Sequence, residues 1–289
     1  MAFISFVRYK NTGLVIEIIK ILMYNAGNKK FLHNQKENEM SRIESFKKDL
    51  EAKKAVKIIA GIDNFDIENI KKVVKSAEMA GASAVDICAD AEIVKEIRSM
   101  TELPLFVSSI VPEELARAVE LGADAIELGN FDVLYKSGTS FSKDEVLALV
   151  KRTINLVGED VFFSVTIPGE ISIADQIEMA RELETMHVDL IQTEGHFSKE
   201  QADGVRGLME RAELTLSNTV ELSRNVEMPI MTATGINPTT APFAFAAGAS
   251  AIGCGSCINK MTSDLSMVAT AKQLVEIANR NAEKIAALV

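Results

Sequence analysis

The chain has 289 residues, 47% hydrophobic and 25% charged, with 16 glycines, 6 prolines, no tryptophan and a net charge of −10. That length suits one α/β barrel domain, and the scarcity of aromatics argues against an aromatic-rich sandwich or a base-stacking platform. The negative charge, with no dense Lys/Arg stripe to override it, excludes nucleic acid as the main partner.

The first forty residues show no sustained period. The apolar stretch Leu14 to Tyr24 is broken by Glu17 and Lys20 and is too short to span a bilayer, so no membrane partner is expected. Lys36 to Met40 back-translates as AAG-GAG-AAT-GAG-ATG, a bacterial ribosome-binding site just ahead of a start codon. Met40 is therefore expected to be the native start, with residues 1–39 a non-native or disordered extension and 40–289 a single domain.

From Ala55 one rhythm repeats: a β-branched run, an amphipathic helical segment, a Gly-Ala or proline-marked turn, and the next run. The expected strands are Ala55–Gly61, Ala84–Ala89, Leu105–Ser109, Ala125–Asn130, Val161–Pro168, Asp189–Gly195, Ile230–Ile236 and Ala251–Cys257. Asp66–Ala80 carries Ile67, Ile70, Val73, Val74 and Ala77 on one stripe. Pro112–Leu121 opens with proline in its first turn and stops before Gly122, and Ser142 is the expected N-cap of Ser142–Val157. A longer helix spans about Asp203–Arg224, preceded by a loop at His196–Gln201, and a last one runs through Leu265–Leu288. Eight alternations without a G-x-G-x-x-G after the first strand favour a closed (β/α)8 TIM barrel over an open doubly wound sheet.

In such a barrel the site lies at the carboxyl ends of the strands. The last two strands end in glycine-bearing segments, Gly235-Ile236-Asn237 and Gly253-Cys254-Gly255-Ser256. There backbone N–H groups can approach a phosphate, with the helix after the eighth strand aimed at the same anion. The expected partner is a small phosphorylated ligand; a homo-oligomer is left open.

Polar residues interrupt the apolar strands: Lys57, Asp86, Glu127 and Thr166, with Gln192 and Glu194 on the sixth. Parallel strands covered by helices read as apolar runs, so period-two alternation turns these groups into the barrel. A lysine and several carboxylates sharing one interior should pair. Lys57, Asp86, Glu127, Gln192 and Glu194 are the candidate catalytic set, with Lys57 as general base or Schiff-base amine; a structural ion network is the competing account. Cys254-x-x-Cys257 matches C-x-x-C, but it overlaps the phosphate segment and has no second pair, so no metal is expected. With only three cysteines there is no disulfide framework, which points to a reducing compartment.

Lys57-Ile58-Ile59-Ala60-Gly61 with Asn64-Phe65, Val85-Asp86-Ile87, Val107-Ser108-Ser109, Ile126 to Asp132, Val165-Thr166-Ile167-Pro168, Leu190 to Gly195 and Thr232-Ala233-Thr234-Gly235-Ile236 occur in this order. Together they resemble the hypothetical chloroplast reading-frame twenty-three family of plastid and cyanobacterial genomes, from about Phe46 to the C-terminus. The resemblance implies an aldolase-type barrel without an established activity. Its Gly-x-Gly-Ser falls on Gly253 to Ser256, and its pattern does not include Cys254 or Cys257. The location expected is the cytoplasm, or the plastid stroma if the gene comes from a photosynthetic eukaryote.

Three functions compete: lyase or isomerase chemistry on a phosphorylated metabolite at Lys57, an oxidoreductase holding flavin mononucleotide (FMN) by the same phosphate grip, and a non-catalytic sensor of a phosphometabolite.

Overall fold

A computed structural model describes residues 41–135, 138–195 and 203–288. The N-terminal extension and the loop expected at His196–Gln201 lie outside the described residues.

The strands are β1 (Ala55–Gly61), β2 (Ala84–Cys88), β3 (Leu105–Ser109), β4 (Ala125–Leu128), β5 (Phe162–Ile167), β6 (Leu190–Thr193), β7 (Ile230–Thr232) and β8 (Ala251–Cys254). Each pairs in parallel with the next, and β8 closes on β1, giving the barrel in chain order. The helices are α1 (Arg42–Glu51), α2 (Ile67–Ala80), α3 (Ala91–Met100), α4 (Pro112–Glu120), α5 (Asp132–Tyr135), α6 (Lys143–Val157), α7 (Ile173–Glu184), α8 (Gly204–Ser223), α9 (Ala241–Ala246), α10 (Ser256–Asn259) and α11 (Asp264–Ala286). Local chemistry sets their starts. Asp66 accepts from the N–H groups of Glu68 and Asn69 ahead of α2, and Ser142 with Glu145 forms a reciprocal capping box on α6.

Odd and even strand positions go to opposite sides. Val56, Ile58, Val85, Ile87, Val107, Ile126, Val165, Ile191 and Ile252 face outward into two apolar layers under the helices. Ala55, Ala84, Phe106, Ala125, Phe162, Leu190, Met231 and Ala251, one from each strand, face inward and form the lowest layer of the interior. Phe46 and Leu50 of α1 stopper this layer from below. Phe46 meets Phe106 and Phe162 edge-on, with ring centroids 5.0 and 5.6 Å away.

The expected strand ends overshoot. The ladder stops at Leu128, Ile167, Thr193, Thr232 and Cys254, two or more residues early on β4, β6, β7 and β8. Beyond these points the chain leaves pleated geometry. Asn130 and Thr234 sit at φ 64°, and residues 256–259 coil into α10 where a strand to Cys257 was expected. α1 is a further element that the expected strand–helix series lacked.

Candidate functional site

Two residues above the floor, the inward positions are Lys57, Asp86, Ser108, Glu127, Ser164 and Gln192, with Ala233 and Gly253 completing the ring. Lys57 is fully buried, with its ammonium 2.5 Å from Glu127 Oε2, 3.0 Å from Asp86 Oδ2, and 5.0 Å from the centre of the Phe106 ring. Ser164 donates to Glu127 Oε2 at 2.9 Å, and Gln192 Nε2 to Glu127 Oε1 at 2.7 Å. Ser108 donates to Asp86 Oδ1 at 2.6 Å. Four of the five candidate catalytic residues thus form one network.

Its electrostatics follow from one cation facing two carboxylates where water does not reach. Burial disfavours the ammonium, but Asp86 and Glu127 outweigh that and raise the Lys57 pKa above its ordinary value. Burial, with Asp86 as a second anion nearby, raises the Glu127 carboxyl against the opposing pull of Lys57. Lys57 is therefore held as an ammonium, and the free amine that base or Schiff-base chemistry requires is disfavoured.

Glu194 stands apart from this network. It accepts from the Asp132 amide, from Tyr135 Oη at 2.9 Å and from the Gly169 amide at 3.4 Å, tying the β6 end to the segments after β4 and β5. Burial first, then the Asp132 charge, push its carboxyl well above the usual carboxylate range.

Above the network a cavity of about 810 Å³ opens at the carboxyl ends of the strands. Its floor includes Ile59, Ala233 and Gly253, the first being the next inward residue of β1 above Lys57. One wall is formed by Gly235, Ile236 and Asn237 with Gly255 and Ser256, so the two glycine-bearing segments share a single space. Cys254 does not line it; its side chain belongs to the outer apolar layer. The turn after β7 is built by its own side chains. Thr240 Oγ1 donates to the Gly235 carbonyl and accepts from the Asn237 amide, while Asn237 Oδ1 accepts from the Thr239 and Thr240 amides. Gly235 is at φ +75°, and a Cβ there would come within 2.7 Å of the Arg211 carbonyl, so the turn presses on the α8 backbone.

The remaining wall was not read from the sequence as a site. Asp63, Asn130, Asp132, Thr234, Glu210, Arg211, Asn259 and Lys260 all border the cavity. Asn130-Phe131-Asp132 and Thr234 lie inside the strings that carry the family resemblance, which is the one signal pointing to them. Asn259 bonds the Ile59 and Ala60 carbonyls at 3.3 and 2.8 Å, locking α10 to the end of β1. Lys260 carries no ion pair among the described residues. Thr234 is β-branched yet left-handed, a strained conformation that concentrates at functional sites. Among the described residues no cluster of three or more metal-ligating side chains occurs, and no helix is long and apolar enough to cross a membrane.

The family described as "Protein of unknown function (DUF561)" matches residues 40–284. "Uncharacterized protein ycf23" of Pyropia yezoensis is 39% identical over 223 residues, 76% of this chain and 81% of that protein. Solved barrels superpose at far lower identity. Thiamine phosphate pyrophosphorylase from Pyrococcus furiosus gives a TM-score of 0.53 at 16% identity, covering 80% of this chain and 98% of that one. The 3-hexulose-6-phosphate synthase from Salmonella typhimurium gives 0.56 at 11%, covering 78% and 99%. At such identities the likeness is one of fold.

Proposed function

The chain belongs to the family of proteins of unknown function that includes the ycf23 proteins, and we propose that it is an enzyme of the lyase or isomerase class acting on a small phosphorylated metabolite. The observation that carries this reading is the convergence of Gly235–Asn237 and Gly255–Ser256 on one cavity that Arg211 and Lys260 also border. In the four-residue α10, Ile258 and Asn259 already donate to the Gly255 carbonyl, so only the Ser256 and Cys257 N–H groups lack an acceptor within the helix. The volume falls within the usual range for small-molecule sites. Two superposable barrels carry names that mention phosphate compounds, a thiamine phosphate and a hexulose phosphate.

With its phosphate at this wall, the ligand's far end points down the barrel toward the Lys57 layer. In this reading Lys57 acts as a fixed ammonium. It holds negative charge on Glu127 and Asp86, so that the Glu127 carboxylate is the group that takes a proton from the ligand and returns it, with Gln192 Nε2 only orienting that carboxylate. Chemistry by the amine itself would require Lys57 to lose a proton and Ile59 to move aside. Borohydride reduction in the presence of phosphorylated aldehydes and ketones is expected to leave Lys57 unmodified; a reduced adduct there would make the lysine the nucleophile.

Thermal melting with inorganic phosphate and a panel of phosphorylated metabolites tests the site itself. A ligand at a hundred times its dissociation constant stabilises by about 2.7 kcal/mol, and Ser256→Glu, which sets a carboxylate against the anion, is expected to abolish the gain. Equal melting with and without every phosphate would remove the proposal. The cavity also has room for FMN, and purified protein that is yellow would favour the flavin reading. Ligand binding that survives Lys57→Ala without any turnover would favour a sensor. The free cysteines, two of them buried, suit a reducing compartment, and we place the protein in the cytoplasm or in a plastid stroma.

A further inference from the structure

We propose that the carbonyl oxygen of Gln192 reads a hydroxyl of the ligand, so that the site selects phosphorylated polyols or sugars of at least three carbons over plain alkyl phosphates. This rests on the phosphate reading of the same cavity and specifies what must lie at the other end of the ligand. Gln192 is 1% exposed, and its Oε1 is one of three buried side-chain polar atoms without a hydrogen-bond partner among the described residues. The orientation of the amide is fixed by its surroundings. Nε2 lies 2.7 Å from Glu127 Oε1, 3.2 Å from Asn130 Oδ1 and 3.2 Å from Thr166 Oγ1. Turning the amide over would set its oxygen against a carboxylate and a second carbonyl, so the oxygen has to face the other way.

That other way is the cavity floor. Oε1 lies 3.2 Å from the point where a Cβ on Gly253 would stand, beside Ala233 Cβ and Ile59 Cδ1. Ile59, Ala233 and Gly253 all line the cavity. A buried acceptor with no protein donor, beneath a floor with a glycine at its centre, is arranged to receive a donor from outside. The end methyl of Ile59, a flexible terminus, is what must turn to admit it.

The depth sets the length of the ligand. Gly253 lies two residues below Gly255 on the same chain, roughly 6–7 Å along an extended strand. That span matches a phosphate and a hydroxyl separated by a three-carbon chain. A hydroxyl donating to Gln192 Oε1 would couple the ligand, through Nε2, to Glu127 and Lys57.

The test compares glycerol 3-phosphate with propyl phosphate, equal in carbon count but without hydroxyls, and with inorganic phosphate, by calorimetric titration of the full chain. Glycerol 3-phosphate is expected to bind at least about tenfold more tightly than propyl phosphate, because an unfilled acceptor penalises the ligand that cannot donate. Gln192→Met, which keeps length and removes the acceptor, is expected to cut that ratio several-fold, leaving only the share that the carboxylates on the cavity wall sustain. Should this variant not fold, Gly253→Ala, which places a methyl against Oε1, is expected to do the same. A wild-type ratio near one with inorganic phosphate still bound would overturn the Gln192 assignment alone. A tenfold ratio that persists in a folded Gln192→Met protein would also overturn it. No binding of any phosphate would remove the site reading and this inference together.

Discussion

Replacing Lys57 by methionine is the sharpest perturbation available, because it removes one charge and little else. Methionine nearly matches the lysine stem and keeps contact with Phe106, whose ring centre lies 5.0 Å from the ammonium. What remains is Asp86 and Glu127, 1% and 0% exposed, without the cation that stood 3.0 and 2.5 Å from them. Breaking a buried ion pair by removing one partner costs about 3–5 kcal/mol, or roughly 6–20 °C of melting temperature for a domain of this size. The loss should depend on pH with a definite sign. The Glu127 carboxyl is already raised in the fold, and losing Lys57 removes the influence that lowers it. A raised folded value contributes stability below the unfolded value, near 4.3, which disappears as pH climbs through the folded one. Lys57→Met is therefore expected to be weakest at alkaline pH and to close the gap with wild type on acidification. Denaturant melts of both proteins between pH 5 and pH 9 measure this. A deficit under about 1 kcal/mol at pH 8, or one that widens as pH falls, would refute the account of Lys57 as the charge that holds the layer together.

Phe46→Ala opens the barrel floor where three phenylalanines meet and is expected to cost about 3–5 kcal/mol, read by chemical denaturation. The assignment of α1 as a stopper fails if the loss is small. Gly235→Ala must adopt φ +75° and drive a methyl toward the α8 backbone at Arg211, costing about 2–3 kcal/mol by melting and weakening phosphate binding with it; an unchanged melting temperature would show that the turn is not pinned. Glu194 has a raised carboxyl, so its contribution is present below the ordinary glutamate value and fades as pH rises through the folded one. Glu194→Gln should therefore gain on wild type as pH rises, and parallel stability–pH curves would contradict that.

The barrel was legible because its strands break a rule. Parallel strands under helices need apolar side chains on the outward face, so Lys57, Asp86, Glu127 and Gln192 could be accommodated only inside, and the structure turns all four inward. The strand ends were less legible. Thr234 is a good strand former, and nothing in its chemistry announces φ 64°; the ladder stops at Thr232 because the next residues turn into the cavity wall. α1 gives a weak signal for a related reason. It buries only Phe46 and Leu50, and its role exists only once a closed barrel offers a lower mouth to fill.

The site divides along the same line. Glycines at 235, 253 and 255, which all line the cavity, mark the proposed anion position through local geometry, which sequence can carry. The charge balance of the cavity comes from Asp63, Asp132, Glu210, Arg211 and Lys260, contributed by separate loops and helices, which no local pattern reveals. That balance bears on the ligand: with acids as well as bases on the wall, a bare phosphate gains at Lys260 and meets repulsion at Asp63. A ligand that also brings hydroxyl donors turns those acids into acceptors. The mixed wall and the unfilled oxygen of Gln192 therefore make the same demand on the ligand from opposite ends of the cavity.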